Sequence, residues 1–301
     1  MTGTLVDPNA MDVAPAPPAY KPPAPIFLWA AKTFAPLVAP ALTLWWSRLE
    51  KMDGPFDGSD LLPPGVTEPA DYPPYYFLKP VHGMPDPGWL HPGMGEFYYK
   101  TARWGFYFDR EDVLRYYFGK LITPLKPKRI LDAGCAIGEA AIIIGKMFPE
   151  AEIIGVDLSA PMLRWARRSA EREGVTNVHF YHRDFADLSC WEDGSFDFVF
   201  ENYCLHEVPT YAGLACVEEM IRLTRPGGRV AFADWPPAEE PGELEKRAAM
   251  VDTNEPFMLQ YLDLRLEQRL GELGLVDVER LTRVGRNMLV KADKPMTQKP
   301  G

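Results

Sequence analysis

The sequence predicts an α/β protein whose main body is a mostly parallel sheet covered by helices on both faces, preceded by a proline- and aromatic-rich N-terminal cap. Three observations carry this. From residue 129 onward, short apolar runs alternate with helix-like stretches, the order that builds a parallel sheet. The first run, "RILDAGCAIGEAA" at 129–141, ends in an acid, breaks into a glycine-bearing bend and continues as a helix. Such a strand, turn and helix can cradle a nucleotide. The composition also shifts: 19 of the 31 prolines lie in residues 1–100, which places a boundary near 105.

Taken in order, residues 1–25 are a polyproline-prone lead with little to bury, expected to be disordered. Residues 26–47, "IFLWAAKTFAPLVAPALTLWWS", are nearly uncharged and about the length of a membrane span. Pro36 and Pro40 would bend any such helix, so two readings compete ahead of a true span. The stretch either packs on its own domain or meets a membrane surface, with Trp29, Trp45 and Trp46 as anchors. Residues 72–108 hold 12 aromatics in 37 positions, a density that needs the main domain or a bulky apolar ligand to cover it. The region 26–105 is therefore expected to form the cap, and a helix over 110–122 to join it to the body at 106–293.

Within the body, strands are expected at 129–133, 153–157, 178–183, 196–201 and 229–234. A helix over 159–173 opens with Ser159 as its N-cap. The Arg-Pro-Gly-Gly sequence at 225–228 reads as a turn feeding the fifth strand. The connection after that strand is long; 236–258 forms either a lid over the cleft or a solvated excursion. A helix near 256–273 and two strand-like runs separated by a Gly285 turn end the chain as an antiparallel hairpin.

Composition narrows the function classes. Apolar residues at 47% and charged residues at 25% are ordinary for a domain with a sizeable core. The formal net charge of −10, with no Lys/Arg cluster, argues against nucleic acid as a partner. Cys135, Cys190, Cys204 and Cys216 show neither C-x-x-C spacing nor a companion histidine pattern. They read as free thiols, with no metal. The first twenty residues carry Asp7 and Asp12 and no base before Lys21, the reverse of a secretory leader. The expectation is a cytoplasmic protein, free or held at a membrane surface through 26–47.

The bend itself, Asp132-Ala-Gly134-Cys135-Ala136-Ile-Gly138, lacks the G-x-G-x-x-G spacing of a dinucleotide fingerprint. Gly134 and Gly138 still allow close approach of backbone to a ligand, although a glycine turn alone reads equally well as a plain tight turn. Asp157 ends the second strand, where a carboxylate can accept two hydrogen bonds from ribose hydroxyls. Asp184 and Phe185 end the third, placed to meet an adenine edge and face. "FDFVFENYCLHEVP" at 196–209 and "EEMIRLTRPGGRVAFADW" at 218–235 follow.

In that order these motifs resemble those of class I S-adenosylmethionine-dependent methyltransferases, over roughly 110–293. The acidic glycine loop, the second-strand acid, the third-strand Asp, the segment after the fourth strand and the "RPGG" turn all match in register. The resemblance implies a Rossmann-like seven-stranded sheet with one antiparallel strand. It also implies S-adenosyl-L-methionine as cofactor, contacted by Asp132, Gly134, Cys135 and Gly138 in the loop. Asp157, Leu158 and Met162 at the second strand, Asp184 and Phe185 at the third, and Glu201 and Asn202 at the fourth complete the set. One departure is Ala136, where the family carries its middle glycine; a methyl group there is tolerated if φ is negative, and it narrows the loop.

The sulfonium is an activated methyl donor, so the protein must align an acceptor and, where needed, remove a proton. His206 and Glu207 follow the fourth strand at the cleft edge and are the candidate catalytic residues. Each has a plainer reading, Glu207 as a helix-start residue and His206 as a packed ring. His179 and His182 alternate to opposite faces of a strand and read as structural; His82 and His91 suggest no role. The segment after the fourth strand resembles the quinone and sterol C-methyltransferase branch. Together with 26–47 it points to a small apolar or lipid-like acceptor of isoprenoid, quinone, sterol or polyketide type. The rivals are a cyclase or decarboxylase on the same fold, and a degenerate methyltransferase that acts as a binding partner. The oligomeric state is left open.

Overall fold

The sheet is built outward from β1 (Arg129–Ala133), the strand that ends in the glycine bend. The computed structural model describes residues 44, 46–77, 87–101, 119–235, 256–262, 264–284 and 287–296. Among them, seven strands form one sheet in the order β3-β2-β1-β4-β5-β7-β6. β2 (Glu152–Asp157) and β3 (Val178–His182) lie on one side of β1, β4 (Phe196–Asn202) and β5 (Thr224–Asp234) on the other. All these pairings are parallel. β6 (Val276–Val284) and β7 (Asn287–Asp293) make the closing hairpin, with β7 antiparallel to β5. The expected seven-stranded, Rossmann-like sheet with one reversed strand is therefore present; the Gly285 turn lies outside the described residues.

Strand alternation sends neighbouring residues to opposite cores. Ile130, Ile153, Phe180, Phe198 and Phe200 pack on one face; Leu131, Ile154, Val199, Val230 and Phe232 pack on the other. Each fully buried side chain of this kind contributes about 1.5–3 kcal/mol. α2 (Glu139–Met147) and α3 (Ala160–Glu173) cover the first face, α4 (Thr210–Leu223), α5 (Met258–Leu262) and α6 (Leu266–Glu272) the second; α1 (Met94–Thr101) lies outside this pairing. Ser159 caps α3 as expected, its hydroxyl accepting from the Met162 N–H at 3.4 Å, and Gly174 ends the helix at φ +67°. The strand order reverses between β1 and β4, so a crevice opens there, outside the carboxyl ends of the strands.

Three expectations about elements change. The "RPGG" residues do not precede the fifth strand. Thr224 already pairs with Phe196, and Arg225–Gly228 loop out before Arg229 resumes pairing with Phe198. Gly227, at φ +72°, permits that bulge, and Gly227 N–H and Gly228 C=O both bond Lys294. The helix near 256–273 is two helices, α5 and α6. Arg265 between them takes φ +45°, and the break lets Tyr261, Leu264, Leu266 and Leu270 all reach the same core. Of the 110–122 helix, residues 119–122 are described and helical; 102–118 lie outside the description.

The N-terminal segments that are described pack directly on the body. Arg164 on α3 grips Asp60 with two nitrogens, at 2.9 and 2.5 Å. The His182 N–H donates to Leu61 C=O at 2.7 Å, and Ser159 Oγ to Trp89 C=O at 2.6 Å. Met52 and Met94 share a buried cluster with Ile137, Met162 and Trp165, flanked by Trp46, Trp89 and Phe97. No helix of the described residues is long and apolar enough to cross a membrane. The lead at 1–25, most of 26–47 and nearly all of 236–258 lie outside the described residues.

Candidate active site

The glycine bend wraps the end of β1 with three left-handed residues: Gly134 at φ +80°, Ala136 at +47° and Gly138 at +72°. Gly134 and Cys135 N–H both donate to Val156 C=O, which ties the bend to β2. Asp157, the last residue of β2, accepts from Ala136 N–H at 2.8 Å and from Ser159 N–H at 2.7 Å. With Ala136 bonded to Asp157 in the left-handed region, the negative φ on which easy tolerance of its methyl group depended is not met. An L-residue in that conformation costs about 1–2 kcal/mol. The two glycines also have a packing reason that sequence reasoning missed. A side chain at 134 would overlap the Cys204 sulfur, and one at 138 would collide with Phe180.

Around this bend four carboxyl groups end the central strands. Asp132 is 1% exposed and Glu201 0% exposed. Neither oxygen of Asp132 nor Oε1 of Glu201 has a hydrogen-bond partner among the described residues. Burial pushes the Asp132 carboxyl well above its ordinary range, and the charge of Asp157 adds to that. Burial does the same to Glu201, reinforced by Asp234. Asp157 is pushed up to about 6 by burial, against the lowering effect of its backbone bonds to Ser159, Ala136 and Leu158. Asp184, raised by burial, accepts from Ala186 N–H at 2.9 Å.

The remaining cofactor candidates divide into two groups. Phe185 packs partly buried against the second core and Asn202 is half-buried at the end of β4. The side chains of Cys135 and Met162 are core packing, Cys135 against the β2 side and Met162 in the Met52–Met94 cluster. Leu158 is buried directly after Asp157. All four cysteines are free thiols.

On the β4–β5 side the two catalytic candidates share one short turn, Leu205–Glu207. His206 is 4% exposed, and its Nδ1 lies 2.7 Å from Oδ1 of Asp234, the last residue of β5. The backbone of His206 also donates to Asp234, at 3.2 Å. Nε2 faces Glu207 Oε1 at 3.5 Å. Burial alone would lower the imidazole pKa, but the charge and hydrogen bond of Asp234, helped by Glu207, hold it well above the ordinary range. Tyr203, Trp235 and Tyr261 surround the ring at 5.7–6.3 Å, forming an aromatic wall around the buried pair. Sequence reasoning missed Asp234. Its signal was present, since it ends β5 as Asp157 ends β2.

The N-terminal aromatics reach the same edge. Tyr72 packs edge-on against His182 at 5.4 Å, and Tyr75 contacts both Tyr211 and Phe257 near 6 Å. Tyr72 and the short helical turn Pro74–Phe77 therefore reach from His182 at the end of β3 to Tyr211 on α4 and to Phe257 just before α5. His182 itself is a structural ring: its Nε2 bonds Leu158 C=O at 3.0 Å, and burial holds its pKa down to about 4. His179 is exposed on the opposite face. His91 accepts from Gly93 N–H; His82 lies outside the described residues.

Buried carboxyls that raise one another's pKa create a site that favours a cation, while a glycine bend and a strand-end carboxylate suit a ribose. A nucleoside carrying a positive charge fits this donor set. Sheet order, switch-point crevice and acid-lined bend together define a Rossmann-like protein built around such a cofactor. A family model for the methyltransferase domain matches residues 125–279, just over half of the chain. The chain belongs to the class I S-adenosylmethionine-dependent methyltransferases.

Comparison with individual proteins agrees. A demethylmenaquinone methyltransferase of Thermus thermophilus is 36% identical over 116 residues, covering 37% of this chain and 49% of its own length. One from Geobacillus kaustophilus is 35% identical over 120 residues, with 40% and 48% covered. The chain thus spans about half the length of the curated relatives it matches. Among solved structures, an S-adenosyl-L-methionine-dependent methyltransferase assigned in Methanococcus maripaludis aligns with a TM-score of 0.52 at 14% identity, covering 68% of this chain and 94% of that one. An O-methyltransferase family protein from Burkholderia thailandensis aligns with a TM-score of 0.50 at 16% identity, covering 62% and 59%. At these identities the structures speak for the fold alone.

Proposed function

We propose that the protein transfers the methyl group of S-adenosylmethionine to a small apolar acceptor of quinone type, at a ring carbon. The observation that carries this is the buried His206–Asp234 pair, set in an aromatic wall beside the acid-lined bend. The cofactor supplies an activated methyl group when bound. Asp157 binds its ribose, Asp184 and Phe185 its base, and the bend holds its methionine end. Asp132, Glu201 and Asn202 border the charged centre, and Leu158 lines the same crevice.

On the acceptor side, Asp234 keeps His206 protonated and oriented. Its Nε2–H then donates to an oxygen on the acceptor ring and steadies the negative charge that makes the adjacent carbon nucleophilic. A ring held protonated serves as a donor rather than a base, so Glu207 is the residue to accept the acceptor's proton. Tyr203, Trp235, Tyr261 and Tyr75 exclude water and offer flat faces to a fused-ring substrate. Residues 26–105 act as the cap that closes this side, and 26–47 is its contact with the acceptor or with the membrane that carries it. The similarity to demethylmenaquinone methyltransferases favours a quinone nucleus over a sterol or polyketide.

The test is incubation with methyl-labelled S-adenosylmethionine and a bacterial lipid extract, followed by mass spectrometry. Label is expected in the quinone fraction. Label found only in water-soluble molecules would overturn the acceptor assignment.

A further inference from the structure

The N-terminal aromatics cross the crevice as well as border it. Tyr72 packs edge-on against His182 at the end of β3, and Tyr75 meets Tyr211 on α4, the helix that follows β4. In the sheet order β3-β2-β1-β4, a segment fixed at those two points passes over the carboxyl ends of β2 and β1 and over the switch point. Tyr76 belongs to that segment. Its N–H donates to Pro73 C=O at 2.9 Å, and its half-buried ring stacks on Tyr72 at 5.6 Å. Tyr72 is fixed in turn, its hydroxyl donating to Phe56 C=O at 2.7 Å. Arg164 grips the same loop through Pro55 C=O and Asp60.

The Tyr76 hydroxyl bonds the side chain of Ser159. Ser159 Oγ already donates to Trp89 C=O at 2.6 Å, so Tyr76 is the donor in that bond. The N–H of Ser159 donates to Asp157 Oδ1 at 2.7 Å, which places the phenol beside the carboxylate that closes β2. Burial, reinforced by the charge of Asp157, holds the phenol well above its ordinary range, so it stays neutral and keeps its proton to donate.

We propose that Tyr76 is a binding residue of the donor site, its hydroxyl turning from Ser159 to a ribose hydroxyl of S-adenosylmethionine opposite Asp157, with Tyr72 as the positioning residue that keeps it there. This rests on the reading that Asp157 holds the ribose. A ribose hydroxyl gives its proton to the Asp157 carboxylate and has lone pairs left to accept from a neutral phenol, so the two groups act together. Both tyrosines lie outside the stretch 125–279 that matches the methyltransferase domain, so the N-terminal cap serves the donor as well as the acceptor.

The full chain and its Tyr76→Phe variant, which keeps the ring and its stacking, are titrated calorimetrically with the product nucleoside S-adenosylhomocysteine and with its 2′-deoxy and 3′-deoxy analogues. Tyr76→Phe is expected to bind S-adenosylhomocysteine about 3–10-fold more weakly, the scale of one hydrogen bond, and to bind at least one deoxy analogue as tightly as wild type does. Tyr72→Phe, lacking only the bond to Phe56, should show the same ribose-selective loss to a smaller degree; no loss, or an equal loss for all three ligands, would overturn its positioning role. Undiminished affinity of Tyr76→Phe for S-adenosylhomocysteine, or an equal loss for all three ligands, would overturn the proposal. Asp157→Ala distinguishes the two readings. If it weakens binding while Tyr76→Phe does not, only the role of Tyr76 fails; if a folded Asp157→Ala chain binds as wild type does, both fail.

Discussion

Nδ1 of His206 stands 2.7 Å from Oδ1 of Asp234, both side chains buried, the first in the turn after β4 and the second at the end of the neighbouring parallel strand β5. The pair couples two segments that are 28 residues apart in sequence, and it sets the protonation state of His206. Its sign is definite. The folded-state pKa of His206 lies above the ordinary value of 6.5, so the stability it contributes is full below about 6.5 and is lost as pH rises through the folded value. Asp234→Asn removes the charge responsible. The ring's titration, followed by NMR, should move down to or below the ordinary range, and the alkaline loss of stability should diminish. Turnover should fall by about 10²–10³-fold, the scale of losing a preorganised stabilising donor.

Asp157 gives a second pH-dependent expectation. Its carboxyl is raised to about 6 in the folded protein from an ordinary 3.8. In the cofactor-free chain its contribution to stability is therefore present below about pH 4 and lost as pH rises through 6. Ribose binding needs the charged form, so the affinity for S-adenosylmethionine should strengthen as pH rises through 6 and weaken by up to about tenfold per pH unit below it. Asp157→Asn should flatten that limb, and Asp157→Ala should cost about 1.5–3 kcal/mol of binding at neutral pH. Calorimetric titration across the range checks both.

Ala136 stands where the resemblance expects glycine, and its φ of +47° means the methyl group is held under strain. Ala136→Gly should raise the melting temperature, since relief of about 1 kcal/mol outweighs the extra entropy of an unfolded glycine. A lowered melting temperature would show that the methyl group's packing beside the Met52–Met94 cluster matters more than its backbone conformation.

Gly134 is the opposite case. Its φ of +80° and the Cys204 sulfur alongside it both exclude a side chain. Gly134→Ala should destabilise the protein by about 2–4 kcal/mol, from backbone strain plus overpacking. Adding Cys204→Ala should recover the overpacking part only, leaving about 1–2 kcal/mol of strain. Thermal unfolding of the two variants separates the contributions.

The parts of the fold that local pattern controls were legible from the residues. The five parallel strands follow from apolar runs bounded by turn signals, and the α3 start from Ser159 ahead of a periodic stretch. The closing hairpin was readable for the same reason. What escaped depends on partners distant in sequence. Arg225–Gly228 has turn residues, yet whether they form a turn or a bulge depends on Thr224 pairing with Phe196 across the sheet. The α5–α6 break arises because one core must accept Tyr261, Leu264, Leu266 and Leu270 together, which no local propensity encodes.

The same division holds at the site. Asp157 and Asp184 were found because one closes β2 and the other follows two residues after the end of β3. The left-handed turn at Ala136 was not found, because it is imposed by a hydrogen bond from a residue 21 positions away. Asp234 closes its strand in the same manner as Asp157, but its partner His206 lies on another element, and only the folded sheet brings them together. The Asp60–Arg164 grip spans 104 residues and left no periodic trace at all.

Methyl transfer to a quinone nucleus, as proposed, can be followed on a defined acceptor. A demethylated naphthoquinone is reduced to its quinol, mixed with the full chain and methyl-labelled S-adenosylmethionine, and followed by mass spectrometry. The expected product is heavier by one labelled methyl in place of one hydrogen, with fragmentation placing the methyl on a ring carbon. Asp234→Asn should slow this step without weakening cofactor binding. Quinol recovered unchanged while S-adenosylmethionine is demonstrably bound would contradict the proposed transfer.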